Sequence, residues 1–325
     1  MATQEIRFTA GTIELAGTLT TPDPAAAAPG PVRFPAALLL PSLLPRDRDG
    51  AWDHTRHGAW FAPEGPERRP GILARLAEAL AAHGVASLRY DKRGCGASDG
   101  EWSSAGLFTL IDDARDALAV LRGQDVVDPA RVGIVGHGEG AWIALSVAPA
   151  DPAIGPLTLI GAPARGLRDV LRRGVAERAR RRAEDGAGPV DPFVVSLDRG
   201  LEELIERAAR GEPEMTLPVN HGPVTLSLAG WEPAFQIPTR ALATLQERSV
   251  TLVHGDDDAW VHPEEATLLV AALEASAAPR RIRVPRAGHD LAEAPDRLFR
   301  DLAADLAARL QPRRLPTVLL SIGLR

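Results

Sequence analysis

A tight glycine-rich turn is one place in this sequence where residue types and spacing indicate chemistry. Gly136-His137-Gly138-Glu139-Gly140 follows the apolar run Val132–Val135 and precedes a helical pattern. In the nucleophile elbow, G-x-S-x-G, a serine stands at the apex of such a strand-to-helix turn, and small flanking residues relieve crowding there. Both flanking glycines are present, but the apex is Gly138. We therefore predict the backbone of an elbow with its nucleophile position vacant.

Two later segments supply an acid and a base. The apolar run Val250–Val253 leads into three consecutive aspartates, Asp256–Asp258, and His289 comes shortly after the run 281–284. A histidine oriented by a carboxylate can act as a general base, and the order elbow, acid, histidine is that of a Ser-His-Asp triad. The sequence thus keeps two members of a triad around the vacant apex.

Short apolar runs alternate with helical patterns along most of the chain. Runs of this kind, bounded by Gly, Pro and Asp, fit strands that are buried on both faces of a parallel sheet. They lie at 36–40, 85–88, 132–135, 157–160, 250–253 and 281–284, and the helical patterns lie at 71–83, 105–122, 139–149, 264–277 and 293–310. This alternation predicts an α/β architecture. The alternating stretches 5–9 and 12–20 add an antiparallel hairpin at a sheet edge.

One interval is too long for a simple crossover between strands. Between about residues 164 and 233 the chain carries two amphipathic patterns, Leu167–Glu184 and Gly200–Arg210, each with an apolar stripe at helical spacing. We interpret the interval as a helical cap, 164–235, which is inserted into a core formed by residues 1–163 and 236–325.

Composition and charge argue against several classes of protein. The chain has 325 residues, of which 45% are hydrophobic and 25% charged, and this is typical of a globular fold. Its net charge is −6, and the one dense basic run, at 178–182, is more typical of a solvated helix face than of a nucleic-acid site. Cys95 is the only cysteine, and no apolar run is long enough for a membrane span. Without a secretory signal in the sequence, we expect a cytoplasmic protein that binds neither nucleic acid nor membranes.

A further motif, DKRGCGAS at residues 91–98, is similar to the D-x-R-G-x-G-x-S turn of bacterial acyl esterases. Together with the elbow and the later segments, it makes nearly the whole chain resemble the α/β-hydrolase family. The resemblance implies a mostly parallel central sheet with helices on both faces and an inserted helical cap. It also implies that Asp258 is the acid, because Gly255 and Val261 match the family's G-x-x-D-x-x-V loop, and that His289 is the base.

The loop after the first apolar run departs from the family pattern. It resembles the family's segment of small residues followed by P-x-D-R-D-G, but Leu43 and Leu44 stand where glycines are expected. The resemblance implies an oxyanion hole built from backbone N–H groups at Ser42, Leu43 and Glu139. Ser42 and Cys95 are conceivable substitute nucleophiles, but neither lies on the elbow, which argues against both.

We consider three hypotheses for the function. In the leading one, His289, held by Asp258, is a general base that acts on a small carbonyl compound or on a water, and the reaction is an elimination, isomerisation, cyclisation or water-mediated hydrolysis. In the second, the chain is a serine esterase represented by an inactive variant with glycine in place of the nucleophile. The two leucines favour a naturally altered site over an engineered one. In the third, the chain is a ligand-binding protein without activity, and the retained acid and base argue against it.

The remaining predictions concern the ligand and partners. We expect a small-molecule substrate in a pocket that glycine at the apex enlarges, with candidate wall residues His137, Trp142, Trp231 and Trp260. No metal is predicted, since the His and Asp residues show no ligand spacing that the triad does not explain better, and no cofactor is implied. The apolar stretch 315–324 would pack on the chain's own sheet or on a second copy, which leaves a homo-oligomer open.

Overall fold

One large sheet forms the centre of the protein. The computed structural model describes residues 1–23, 33–57, 71–185, 192–219, 222–229, 231–273 and 279–311. Its strands are β1 (Ala2–Ala10), β2 (Ile13–Thr21), β3 (Phe34–Leu40), β4 (Ala86–Tyr90), β5 (Val127–His137), β6 (Ile154–Ile160), β7 (Glu214–Val219), β8 (Gly222–Ser227), β9 (Val250–Gly255) and β10 (Arg280–Val284). The large sheet has the order β1-β2-β4-β3-β5-β6-β9-β10, and β7 and β8 form a separate hairpin.

The large sheet is mostly parallel. β1 and β2 form an antiparallel hairpin at one edge, and β2 also runs antiparallel to β4. The other neighbours in the sheet, along β4-β3-β5-β6-β9-β10, pair in parallel. Every residue of β3 and β9 is buried, as expected of strands that are covered on both faces. The predicted α/β fold class is confirmed.

Helices cover both faces of this sheet. The helices of the described residues are α1 (His54–His57), α2 (Ile72–Ala82), α3 (Leu107–Arg122), α4 (Glu139–Val147), α5 (Leu167–Asp185), α6 (Pro192–Ala209), α7 (Trp231–Gln236), α8 (Thr239–Ala243), α9 (Glu264–Leu273) and α10 (Asp296–Arg309). Successive residues of β3 belong to two different apolar clusters. Leu38 lies in the cluster that includes side chains of α3 and α4, whereas Leu39 lies in the one that includes α2 and α10. This separation follows from the two-residue period of a strand.

The interval between β6 and β9 has an apolar cluster of its own. It contains α5 to α8 and the β7–β8 hairpin, and buried side chains such as Leu204, Leu217 and Phe235 pack together there. Leu44, from the loop after β3, also belongs to this cluster. The interval therefore packs against the end of the sheet where β3 finishes. That 164–235 forms a separate cap stays a prediction.

Two details of this interval differ from the sequence prediction. The second helix begins at Pro192 rather than at Gly200, because Val194 extends its apolar stripe and proline suits the first positions of a helix. The β7–β8 hairpin was not predicted. Its signal is a short alternation in which Met215 and Leu217 are buried and their neighbours are exposed.

The turn after β4 ties together the loops at this end of the sheet. The Asp91 carboxylate accepts hydrogen bonds from the Arg48 backbone N–H at 2.7 Å and from the Ala97 N–H at 2.9 Å. Ser98 Oγ donates to the Asp91 carbonyl oxygen at 2.8 Å. Buried polar groups that lost these partners would destabilise the fold. The D-x-R-G-x-G-x-S turn thus fixes the loop that follows β3.

Two sequence predictions concern contacts of the protein with a membrane or with a second copy. Among the helices that the structure describes, none is both long and apolar enough to cross a lipid bilayer. The stretch 315–324, which was predicted to pack on the sheet or on a second copy, lies outside the described residues.

Candidate active site

The turn around Gly138 connects β5 to α4. Gly138 has φ 53° and ψ −112°, a conformation outside the regions that L-residues normally adopt. The flanking glycines let the strand and the helix touch, since a Cβ on Gly136 would lie 2.3 Å from the Gly140 carbonyl oxygen. A Cβ on Gly140 would lie 2.4 Å from the Leu40 carbonyl oxygen. The backbone has the strained strand-to-helix geometry of an elbow, with glycine at its apex.

The space beside this apex is occupied by a side chain from another loop. Ser42 lies two residues after the end of β3, and a Cβ on Gly138 would stand only 2.1 Å from Ser42 Oγ. Two atoms cannot share that space, so a side chain at 138 would require the Ser42 hydroxyl to move. The expectation that glycine enlarges the pocket is therefore wrong, because the Ser42 hydroxyl fills the space.

Ser42, His289 and Asp258 form a continuous hydrogen-bonded row. Ser42 Oγ lies 2.9 Å from His289 Nε2, and His289 Nδ1 lies 2.8 Å from Asp258 Oδ2. Because an ionised carboxylate only accepts, His289 donates from Nδ1, which leaves its Nε2 lone pair to accept the Ser42 hydroxyl proton. The row has the order and the distances of a nucleophile, a base and an acid.

The parallel sheet explains why these residues meet. Ser42 follows β3, Asp258 follows β9 and His289 follows β10, and the carboxyl ends of parallel strands lie at one edge of a sheet. Gly161, which follows β6, has φ 55°, and a Cβ there would lie 3.0 Å from the His289 ring. Glycine at this position leaves room for the histidine.

Of the three consecutive aspartates, Asp258 is the one that reaches His289. Its second oxygen, Oδ1, accepts two backbone N–H groups, each at 2.8 Å. Asp256 instead forms an ion pair at the surface, and Asp257 is exposed. The backbone bonds fix the orientation of the Asp258 carboxylate and, through it, the ring of His289.

Opposite charges set the protonation of this acid and base. Burial lowers the pKa of His289, but the Asp258 and Asp290 carboxylates together raise it by more, so the pKa lies above its ordinary value of 6.5. Burial raises the pKa of Asp258, but His289 and His254 lower it by more, so it lies well below its usual range. Asp258 therefore stays ionised when His289 accepts a proton, which stabilises the imidazolium.

The structure corrects the prediction that His137 contributes to the pocket wall. This side chain is completely buried behind His289, with the two ring centres 4.5 Å apart. Its Nε2 donates to the His289 carbonyl oxygen at 3.0 Å. Burial and the nearby positive charge of His289 lower the pKa of His137 to about 3, so its ring is neutral at neutral pH. His137 supports the backbone of the base.

A pocket opens beside the Ser42 hydroxyl. Its walls are mainly aromatic and aliphatic, and include Trp52, Trp142, Leu167, Val170, Leu171 and Trp260. Arg46 is a charged residue on the wall, but its guanidinium pairs with Asp290 at 3.1 Å and lies 3.7 Å from the centre of the Trp52 ring. An apolar, uncharged group suits a pocket with this lining.

The predicted wall tryptophans divide between two pockets. Trp142 and Trp260 line the pocket that contains Ser42 and His289. Trp231 lies beside an adjoining pocket that shares Trp142 and Glu139 with the first. Both pockets border α5 through Leu167. The interval between β6 and β9 thus supplies walls to both.

The residues predicted to supply oxyanion N–H groups, Ser42, Leu43 and Glu139, border the same pocket. Glu139 is the first residue of α4, where N–H groups have no acceptor within the helix and the helix dipole favours negative charge. Leu43 borders this pocket as well. Its neighbour Leu44 has φ 70°, a conformation that costs a bulky residue about 1–3 kcal/mol. Strain of this kind clusters at functional sites, so the loop carrying Ser42 has the character of one.

Cys95, the other candidate substitute nucleophile, is not suited to this role. Its thiol is completely buried in the turn after β4. Burial raises its pKa to about 12, which keeps the sulfur protonated at neutral pH. Because the thiolate is the reactive form, Cys95 is a weak nucleophile here.

Among the residues that the structure describes, two groups of side chains lie close enough to hold a metal ion. The first is Asp53, His57 and Cys95, and the second is His137, His289 and Asp290. In the first group, His57 Nε2 donates to a backbone carbonyl at 2.8 Å and Asp53 accepts a backbone N–H at 2.9 Å. In the second group, the ring nitrogens of His289 face Ser42 and Asp258. Hydrogen bonds thus engage histidine nitrogens in both groups, and we assign no metal to either.

Known proteins share this architecture. The sequence model of the family described as the alpha/beta hydrolase family matches residues 38–302 of this chain. Among solved structures, Est1E from Butyrivibrio proteoclasticus with bound ferulic acid is 17% identical, with 93% of this chain and 98% of that chain covered and a TM-score of 0.62. The esterase domain of a Rhodothermus marinus protein is 16% identical, with 96% and 100% covered and a TM-score of 0.60. At these identities the similarity concerns the fold.

Curated relatives match over shorter stretches. An uncharacterized protein of Mycobacterium tuberculosis is 35% identical over 140 residues, which is 37% of this chain and 49% of that protein. The acyltransferase drtE of Aspergillus calidoustus is 37% identical over 103 residues, or 29% of this chain and 33% of that protein. The matches thus span about half or less of these relatives. Given the sheet order and a family match that extends over most of its length, the chain belongs to the α/β-hydrolase family.

Proposed function

We propose that this α/β-hydrolase-fold enzyme cleaves acyl esters with Ser42 as its nucleophile, carried on the loop after β3 instead of on the elbow. The observation that carries the proposal is the 2.9 Å contact between Ser42 Oγ and His289 Nε2. It is made in space that a side chain at position 138 would otherwise occupy. Glycine at 138 and serine at 42 are therefore complementary parts of one site.

The proposed reaction follows the acyl-enzyme route. His289 Nε2 takes the proton of Ser42 as Oγ attacks the ester carbonyl carbon, and backbone N–H groups at the start of α4 stabilise the oxyanion. Collapse of this intermediate breaks the bond to the alcohol oxygen, which receives the proton from His289. Water then attacks the acyl carbon and gives a proton to His289, which returns it to Ser42 Oγ as the acyl–oxygen bond breaks and the carboxylic acid leaves.

The pocket indicates the kind of substrate. The acyl carbon must reach Ser42 Oγ, so part of the substrate lies against Trp142, Trp260 and the aliphatic residues of α5. Because the charge of Arg46 is balanced by Asp290, we propose a small uncharged ester with an apolar group next to its carbonyl. Transfer of the acyl group to an alcohol instead of water would use the same intermediate.

This proposal differs from the leading sequence-based hypothesis in the role of Ser42. In that hypothesis His289 acts directly on the substrate or on a water. However, the Ser42 hydroxyl engages Nε2, the nitrogen that such a base would use. A substrate or water would have to displace it. Nucleophilic catalysis requires no such rearrangement and is the simpler use of the geometry.

Covalent labelling tests the proposal directly. A fluorophosphonate probe, which reacts with activated serines, is expected to form one adduct, and peptide mass spectrometry is expected to locate it on Ser42. Ser42→Ala should prevent labelling. Ser103→Ala is the matched control, because Ser103 borders the adjoining pocket, and this variant should label as the wild type does. Ester turnover without any adduct on Ser42 would contradict the proposal.

The pH dependence should report the pKa of His289. Only the neutral imidazole can take the Ser42 proton, so kcat/KM for a neutral ester is expected to rise with pH and level off above that pKa. Burial lowers this pKa, and the Asp258 and Asp290 carboxylates together raise it by more, so the midpoint should exceed 6.5. The measurement is a kcat/KM profile from about pH 5 to pH 9. Asp256→Asn is the control, because Asp256 lies in the same loop as Asp258 but pairs with Arg283 instead of His289. This variant should keep the midpoint of the wild type. A wild-type midpoint below 6.5 would disprove the expectation.

A further inference from the structure

The only lysine of the chain lies directly under the proposed site. Lys92 belongs to the turn after β4 and is 4% exposed. Its Nζ donates to the carbonyl oxygens of Ser42 at 3.2 Å and Leu44 at 3.3 Å, and to Glu139 Oε2 at 2.6 Å. An ammonium group has three hydrogens to donate. Lys92 therefore connects the loop that carries Ser42 to the first residue of α4.

A buried ammonium is kept only where its partners compensate its desolvation. Glu139 supplies the opposite charge, and its side chain is 12% exposed. The chain otherwise uses arginine as its basic residue. A guanidinium is a planar fork, whereas an ammonium is a compact point charge that can face three acceptors in different directions. The three-way contact at Lys92 thus requires the residue type that is found there.

The two carbonyl groups bound by Lys92 flank Leu43. One of them belongs to Leu44, whose φ of 70° is unfavourable for a leucine. A turn of this shape persists only when its surroundings hold it. The third partner, Glu139, carries a backbone N–H proposed as an oxyanion donor. Lys92 therefore sets the separation between the Ser42 loop and the start of α4. The reacting carbonyl must fit between these two elements.

We propose that Lys92 is the positioning residue of this site, which holds the Ser42 hydroxyl and the N-terminus of α4 at the separation that acyl transfer needs. The inference rests on the proposed function of Ser42. Lys92 acts through the backbone and through Glu139, and all three of its hydrogens have acceptors within the protein. Its removal should slow the acylation of Ser42 without weakening the binding of the substrate.

The test uses a variant that leaves no unpaired buried charge, Lys92→Met with Glu139→Gln. The matched control is Arg93→Met with Asp113→Asn, which removes the ion pair between the neighbouring residue of the turn and α3 without touching the Ser42 loop. In the first variant kcat should fall about 100-fold, the effect typical of a misplaced reacting group, with KM within about threefold of the wild type. Fluorophosphonate labelling of Ser42 should slow by a similar factor. In the control variant both rates should stay close to those of the wild type.

The outcomes separate this inference from the proposed function. If Ser42 of the wild type is not labelled, the proposed function fails. If Ser42 is labelled in the wild type and equally fast in the Lys92→Met and Glu139→Gln variant, only the role of Lys92 is overturned. Thermal unfolding of both variants is measured in parallel. The positioning role would also be overturned if both variants lost the same amount of rate and the same amount of melting temperature.

Discussion

Replacing Gly138 with serine is expected to abolish activity, although the change completes a G-x-S-x-G pattern. A Cβ at this position would lie 2.1 Å from Ser42 Oγ and 2.9 Å from His289 Nε2. The new side chain must push Ser42 away from the histidine, and φ of 53° adds strain for any residue with a Cβ. We expect kcat for a neutral ester to fall by roughly 10³-fold or more, because members of a triad act as a unit.

Exchanging both residues should restore the activity. In Ser42→Gly with Gly138→Ser the loop no longer carries a side chain near His289, so the elbow has room for one. The apex conformation is the one that the elbow gives to a nucleophile, and its strain is tolerated there. We expect kcat/KM to recover to within about tenfold of the wild type, and fluorophosphonate labelling to move from Ser42 to position 138.

The control for this exchange is Ser42→Ala with Gly138→Ala, which places a Cβ at both positions without a hydroxyl and should be inactive. Single and double variants are compared by kcat/KM and by labelling. If Gly138→Ser alone is as active as the wild type with Ser42 still labelled, the two side chains do not compete for the same space. That result would contradict the complementarity proposed here.

Much of the fold could be predicted from the sequence because local pattern and burial agree. The apolar runs at 36–40 and 250–253 became buried strands, and the period of 105–122 became a helix that begins at Leu107. Strands that are covered on both faces leave a continuous apolar signal. The β7–β8 hairpin left a weaker one, since only alternate residues such as Met215 and Leu217 are buried in it.

The position of the Ser42 side chain could not be predicted from sequence patterns. It depends on the backbone of a loop whose shape is set by Leu44 at positive φ and by hydrogen bonds from Lys92, which is 50 and 48 positions away from its two carbonyl partners. Neither contact has a local signal. The sequence does contain one hint, which is a correlation between two positions. The apex of the elbow lacks its serine, and the neighbouring loop has a serine two residues after β3, the strand that pairs with β5.

This correlation bears on the origin of Gly138. A single serine-to-glycine change in an ordinary esterase would remove the hydroxyl and leave the loop after β3 as it was. Here Ser42 stands in the freed space, and Leu43 and Leu44 replace small residues of the pattern beside it. We therefore interpret Gly138 as one part of a coordinated arrangement. Ser42 takes the space beside Gly138, just as the ring of His289 takes the space beside Gly161.

Ser42→Ala and His289→Ala are expected to cause equally large losses, and the double variant should lose no more. Each change should lower kcat for an activated ester by about 10⁴-fold or more, because the hydroxyl is a poor nucleophile without its base and the base has no covalent role without the hydroxyl. Pre-steady-state kinetics should show a burst of released alcohol in the wild type and none in the variants. His83→Ala, a change at an exposed histidine outside the site, should leave the burst intact.

The same pair of variants separates the two hypotheses for His289. If His289 acts directly on a water or on the substrate, Ser42→Ala removes only a hydrogen-bond partner of Nε2, and the variant should keep most of its activity while His289→Ala loses it. If Ser42 forms the acyl-enzyme, both variants lose it together. The two nitrogens of the His289 ring have different partners: Nε2 lies 2.9 Å from Ser42 Oγ, and Nδ1 lies 2.8 Å from Asp258 Oδ2. That arrangement fixes the histidine for transfer of the serine proton, and it is the reason we expect the two losses to be equal.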